Sequence, residues 1–372
     1  MHIRLKTWSC MNRCTPQAGG EANRKMSKVA TVTLLLLALV FVIFAVGPQL
    51  MHFLKAADEL ENQYPIQPMD DETLSEHQEK VDYTLVIAIV TSPLRTDRRK
   101  VLRETWMKEC VRPDILCRFF TDRLEDIEPW ALQTALQDES STHNDIEFMP
   151  VPQGYNFGWR MIWILEWAFN KYSFHFFLRL DDDYFVCLRR LLHELPRRLN
   201  VPRLYWGYIH CKKGQVRADE AFLLISYKLA KDFVSNKNNL LCHPYGDQSV
   251  ALWLNHRRDV VYFHDHRIMH EHTLLDDSML ETTTNMCNIV LGVHKTYVEG
   301  NLKYWAKVQN NTSISYNIPA IPDFTKKCKH NKFFDWKAMD REYRERPKPC
   351  SQHINYFENN KKKYHETGIW YN

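Results

Sequence analysis

The sequence predicts an α/β protein whose mostly parallel sheet is flanked by helices and carried behind one membrane-spanning segment. Three observations point there. "YTLVIAIVT", Tyr83 to Thr91, is a nearly continuous β-branched run, the pattern of a strand buried on both faces. Strand-like and helix-like stretches then alternate down the chain, as they do where parallel strands are joined by covering helices. Near the start, Val29 to Val46 is an uncharged run of 18 residues, and Gly47 to Leu54 adds no full charge.

About 20 apolar residues span a bilayer core as a helix. A cleaved signal peptide competes with this reading, but its apolar core usually holds about 7–15 residues before a small-residue cleavage site. Gly47-Pro48-Gln49 is a poor site of that kind, so a retained anchor over residues 29–54 is expected. The flanks orient it. Residues 1–28 carry Arg4, Lys6, Arg13, Arg24, Lys25 and Lys28 against Glu21 alone, whereas Asp58, Glu59, Glu61, Asp70, Asp71 and Glu72 follow the apolar run. Positive flanks stay cytosolic, which predicts a type II single-pass protein with a short tail and its bulk in the secretory lumen.

The tail holds six of the 49 basic residues and one of the 45 acidic ones, leaving 43 against 44 in the rest. A neutral remainder gives no reason to expect a nucleic-acid partner. Beyond Cys10 and Cys14 in the tail lie eight cysteines, an even number that suits an oxidising compartment. Cys110 with Cys117 is the preferred local bridge. A buried free thiol is the ordinary reading of Cys187, beside a run of aspartates. Asn310 and Asn311 head two overlapping glycosylation sequons, consistent with the lumen.

After a polar, proline-containing stem over residues 55–81, the elements follow in order. Helix is expected from Arg98 to Met107, strand from Cys117 to Thr121, and amphipathic helix from Leu124 to Gln137. A short strand at Ile146 to Met149, a helix from Gly158 to Asn170 and the strand Phe176 to Leu180 complete the set. The sheet domain is placed at 82–309. The Lys-, Asn- and aromatic-rich segment 310–372 reads as a loosely packed extension.

Four constellations carry the chemistry. In "FFLRLDDDYFV", Asp181, Asp182 and Asp183 sit at a strand's carboxyl end, where ligands bind in open α/β sheets. Three adjacent carboxylates suit a hard divalent cation, which could grip a diphosphate; the bland alternative is an acidic turn capping the helix near Cys187. In "RRKVLRETW", Arg99 and Arg103 share a helix face and could clamp phosphate, or could be a solvated basic face. In "HPYGDQSVALWL", Asp247 is either a helix N-cap or a general base. In "VYFHDHRIMHEHT", one of His264, His266, His270 and His272 could complete a manganese site, the others being surface residues.

Together and in this order, these motifs resemble the β1,3-galactosyltransferase family, inverting Golgi enzymes of the GT-A fold that use a UDP-sugar and Mn2+. "RRKVLRETW" is similar to that family's RR-x-x-x-R-x-TW signature, and "FFLRLDDDYFV" to its strand-plus-DDD segment; the likeness covers roughly residues 83–309. "LYWGYIHCKKGQV" and "CNIVLGVHKT" look most like the member that builds the proteoglycan linkage region. The resemblance implies Asp183 and His264 as metal ligands. It implies Arg98, Arg99, Arg103, Arg160, Asp181 and Asp182 on the donor side, and Asp247 as base. The implied partners are a UDP-sugar and a glycan or proteoglycan acceptor. Three departures stand out: Gly246-Asp247-Gln248 replaces Glu-Asp-Val, Arg160 replaces a lysine, and "DEAFLLIS" replaces a glycine-rich acceptor segment. A luminal glycan-binding protein without turnover and a metal-dependent phosphohydrolase are the rival classes.

Overall fold

Tyr83–Val90 forms β1 in the computed structural model, and its side chains feed two layers at once. Leu85, Ile87 and Ile89 enter one buried cluster, and Val86, Ala88 and Val90 enter the other. A strand with both faces buried needs apolar residues at every position, which explains the unbroken run. The structure describes residues 83–212, 215–255, 257–270, 285–310, 317–326, 328, 345–353 and 355–356. These fall in one unit, Ile66–Asn372. The expected tail, anchor and stem, residues 1–81, lie outside the described residues. Among the described residues, no helix is long and apolar enough to cross a membrane.

Helix α1, Thr96–Glu104, follows β1 and leads to β2, Ile115–Thr121. Then come α2, Trp130–His143, β3, Ile146–Phe148, and α3, Phe157–Lys171. Strand β4, Phe174–Asp181, delivers the aspartates, and a short strand, β5, Phe185–Val186, leads into α4, Leu188–Glu194. A long hairpin follows, β6, Leu204–Lys212, and β7, Gln215–Ser226, beyond the strands read from the sequence. The remaining elements are α5, Tyr227–Ser235, β8, Leu241–Cys242, α6, Gly246–Leu254, β9, Val261–His264, β10, Ile268–Met269, β11, Gly292–Val293, α7, Tyr297–Val308, and β12, Lys348–Pro349.

Seven strands make the main sheet, in the order β3-β2-β1-β4-β7-β6-β9. Strands β1 to β4 pair parallel with one another, β6 is parallel to β9, and β7 pairs antiparallel on both sides. The sheet is therefore mixed, mostly parallel, with one reversed strand. That reversal matters for the site, because it brings the start of β7 to the carboxyl ends of β1 and β4. A second, three-stranded sheet has the order β10-β11-β5.

Two local expectations need correcting. Helix was expected from Leu124, but only a 3-10 turn, Leu124–Asp126, forms there. Pro129, which follows a cis peptide bond, stands at the N-cap of α2, so the helix starts at Trp130 and runs to His143. Cys187 is not a free thiol. It is the N-cap residue of α4 and is bonded to Cys287, while the aspartates do not cap that helix. Cys110 and Cys117 are bridged as expected, and Cys211–Cys328 and Cys242–Cys350 pair the rest. The last two tie described parts of the 310–372 extension to β6 and β8. Tyr356 is buried there, its backbone N–H donating to Asn156 Oδ1 at 2.9 Å.

Candidate active site

The carboxyl ends of β1 and β4 open into a cavity of about 180 Å3, lined by Ser92, Arg95, Arg98, Phe157, Arg179, Asp181, Asp182, Asp183, Glu220 and Tyr245, with Val90 beneath. All three aspartates share it. Their partners differ. Asp182 accepts from Thr91 Oγ1 at 2.6 Å and from Arg98 Nη1 at 2.8 Å, so both of its oxygens are engaged. Asp181 pairs with Arg179 Nη1 at 2.7 Å. Asp183 Oδ1 lies 3.2 Å from His294 Nε2.

His294, not His264, is the imidazole that the fold sets against the triplet. Strand β11 pairs antiparallel with β5, placing Gly292 opposite Val186 and Val293 opposite Phe185, immediately after the aspartates. Glycine is required at 292, because a Cβ there would stand 2.5 Å from the Tyr184 ring. The Thr296 N–H then donates to the Asp183 carbonyl at 2.9 Å and holds the following turn in place. His264 ends β9, where its Nδ1 accepts from the Ile209 N–H at 2.9 Å and its ring packs on Tyr208. It is committed to the β6 edge.

Asp181, Asp183 and His294 each offer a ligand atom, all within 4.8 Å of one another. His294 Nδ1 lies 3.0 Å from the His270 carbonyl. A ring nitrogen that donates to a carbonyl leaves the opposite nitrogen free to bind a cation, the usual arrangement at metal sites. The donor set, two carboxylates and one imidazole, fits Mn2+. Without a cation, charge is balanced internally. Burial opposes the His294 cation, but its bond to Asp183 prevails and raises the imidazole to about 9. Asp183 is held below the usual carboxylate value despite burial, by the same bond. Desolvation lifts Asp181 to about 6 against the pull of Arg179.

The arginines divide by role. Arg98 faces the cavity, bridging Asp182 with Asp183 at 2.8 and 3.8 Å and lying 4.8 Å over the Tyr297 ring. Arg95, which the sequence reading passed over, also lines it. Its Nη2 is buried with no hydrogen-bond partner, which suits an anion. Arg99 and Arg103 are elsewhere. Arg99 is fully buried and forks onto Glu139 at 2.8 and 2.9 Å; Arg103 forks onto Asp145 at 2.8 Å and reaches Glu139 at 2.7 Å. Arg160 is likewise corrected. It is buried on α3, 2.5 Å from Asp122, and does not reach the cavity wall.

Asp247, expected as the base, also stands off the cavity. It is 5% exposed, one oxygen engaged by Arg217 and the other accepting the Gln248 N–H at 2.7 Å. Burial raises its carboxyl, with Arg217 opposing. Glu220 lines the cavity instead. A Cβ on Gly246 would meet Glu220 Oε2 at 2.2 Å, so glycine at 246 makes room for that carboxylate. Burial pushes Glu220 up to about 8 against Arg179, whose Nη2 is 3.8 Å away. Of the sequons, Asn310 is exposed just beyond α7, and Asn311 lies outside the described residues.

Residues 97–246, which include the triplet, match the family model described as Galactosyltransferase. The chain is 26% identical to a β1,3-galactosyltransferase of Arabidopsis thaliana over 47% of its own length and 27% of that relative. It is 29% identical to β1,3-galactosyltransferase 6 of Mus musculus, over 39% of this chain and 47% of that one. It is 27% identical to the lactosylceramide 1,3-N-acetyl-β-D-glucosaminyltransferase of Homo sapiens, over 42% and 44%. The chain thus spans less than half the length of each of these relatives. Over those aligned parts, it is similar to β1,3-glycosyltransferases whose names differ in the sugar transferred.

Proposed function

We propose that the protein is an inverting β1,3-glycosyltransferase of GT-A type that moves a hexose, galactose in our reading, from a UDP-sugar to a glycan or proteoglycan linkage acceptor. One observation carries this: Asp181 and Asp183, whose ligand atoms lie within 4.8 Å of that of His294, line a cavity with Arg95 and Arg98 at the carboxyl ends of β1 and β4. Carboxylates alone would repel a diphosphate. Acids and arginines in one cavity suit a cation and its phosphates together. Asp181, Asp183 and His294 would hold Mn2+, which when bound neutralises the charge of a departing diphosphate. Arg95 and Arg98 would orient the phosphates, with Asp182 fixing Arg98.

An acceptor hydroxyl must lose its proton as it attacks the anomeric carbon and UDP leaves from the opposite face. Glu220 is the lining carboxylate outside the triplet and is the group placed to take that proton. Asp247, paired with Arg217, is assigned the task of holding the wall behind it.

The lactosylceramide relative favours N-acetylglucosamine as the alternative donor. Four disulfides among the described residues support an oxidising compartment, and with the apolar run 29–54 they support a Golgi membrane location with a luminal domain. Incubating the full chain with Mn2+, single UDP-sugars and β-galactoside or galactosyl-xyloside acceptors tests the reading. UDP release should need both an acceptor and the cation. Phosphate release without acceptor would identify a phosphohydrolase, and glycan binding without turnover of any donor would identify a lectin-like relative.

A further inference from the structure

We propose that His210, Asp219 and His270 form a second divalent-cation site, of the zinc type, beside the triplet and sharing no ligand with it. The three residues come from separate elements. His210 is on β6, Asp219 is on β7, and His270 directly follows β10. Each offers one ligand atom, and the three atoms lie within 4.8 Å of one another. His210 Nε2 is 3.5 Å from Asp219 Oδ2, and His270 Nδ1 contacts that same oxygen. Zinc bonds of about 2.0–2.1 Å in a tetrahedron separate ligand atoms by about 3.4 Å, close to the first of these spacings.

Ligand chemistry separates the two clusters. Two imidazoles and one carboxylate make a nitrogen-rich set suited to Zn2+, whereas the triplet with His294 is richer in oxygen. The side chains of His210, Asp219 and His270 are 25%, 15% and 27% exposed, open enough to admit an ion and leave it a further coordination position. Their orientation is fixed by packing. The Tyr208 ring stacks on His270 at 5.7 Å and meets His210 edge-on at 5.2 Å, and the two imidazoles meet edge-on at 4.9 Å. The cluster also touches the first site through backbone, since the carbonyl of His270 is the group bonded to His294 Nδ1. An ion on the His270 ring therefore steadies the residue that aims His294 at Asp183.

The test counts metal, not sugar transfer. The full chain is stripped with a chelator, dialysed against Zn2+ and measured for bound zinc; Co2+ is loaded in parallel and its d–d absorption recorded. Expected are loss of one zinc equivalent in the His210→Asn/His270→Asn double variant, and retention of that equivalent, with its nitrogen-ligated cobalt band, in Asp183→Ala. An unchanged zinc count in the double variant would overturn the proposal. Should that variant fold poorly, Asp183→Ala decides instead. A cobalt spectrum with nitrogen ligation that survives Asp183→Ala supports the second site, and a cobalt signal abolished by Asp183→Ala refutes it.

Discussion

Single side chains decide the chemistry here, and several took roles that their neighbours in sequence do not announce. Arg99 and Arg103 sit four apart on a helix, the spacing of a phosphate clamp, yet Glu139 of α2 engages both and Asp145, just beyond α2, engages Arg103. His294 carries no local signal beyond its place in a family-like segment; the pairing of β11 with β5 is what gives it meaning. Two predictions belong to this scale. Glu220→Gln should lower turnover by at least about 100-fold with donor binding kept, whereas Asp247→Asn should chiefly lower thermal stability by breaking its buried ion pair with Arg217, by roughly 3 kcal/mol. Turnover assays beside thermal melts separate the two, and equal loss of turnover in both variants would return the base role to Asp247. His294→Ala should weaken Mn2+-dependent UDP binding at least about tenfold, with His264→Asn leaving it unchanged in calorimetric titration.

The elements were more readable than the side chains. Strands β1, β2 and β4 and helix α3 follow from apolar runs and periodicity, because burial on both faces leaves little freedom in residue choice. The β6–β7 hairpin did not announce itself, since "DEAFLLIS" mixes two acids into a strand that has polar work at one end and core at the other. Helices α1 and α2 are joined by the Arg99–Glu139–Arg103 bridge, whose side chains are between 0% and 14% exposed. Glu139→Ala should therefore cost about 3 kcal/mol, read by urea denaturation. Burial would raise the Glu139 carboxyl, but hydrogen bonds from Arg99 and Arg103 hold it below its ordinary 4.5. Its stabilisation is complete above that value and is lost as pH falls through the lowered one. The unmodified protein should lose stability more steeply than Glu139→Gln as pH drops below about 4.5.

Across the whole molecule, disulfides staple parts of the chain that the seven-stranded sheet does not join. Cys187–Cys287 spans 100 residues, Cys211–Cys328 spans 117 and Cys242–Cys350 spans 108. Loops of that length predict stabilisation of about 2–5 kcal/mol per bridge. Replacing Cys242 and Cys350 together by serine should lower the melting temperature while leaving UDP affinity within about twofold, because those residues sit away from the cavity. Cys187 and Cys287 are different. One follows the triplet by four residues and the other precedes His294 by seven, so this single covalent link spans both halves of the proposed manganese seat. Newly made chain held under reducing conditions would own every ligand yet hold the two halves together without a covalent link, through contacts such as the β5–β11 pairing and the Thr296–Asp183 bond. The proposed activity would then rise with oxidation, a built-in delay that ends only where the surroundings strip electrons from thiols.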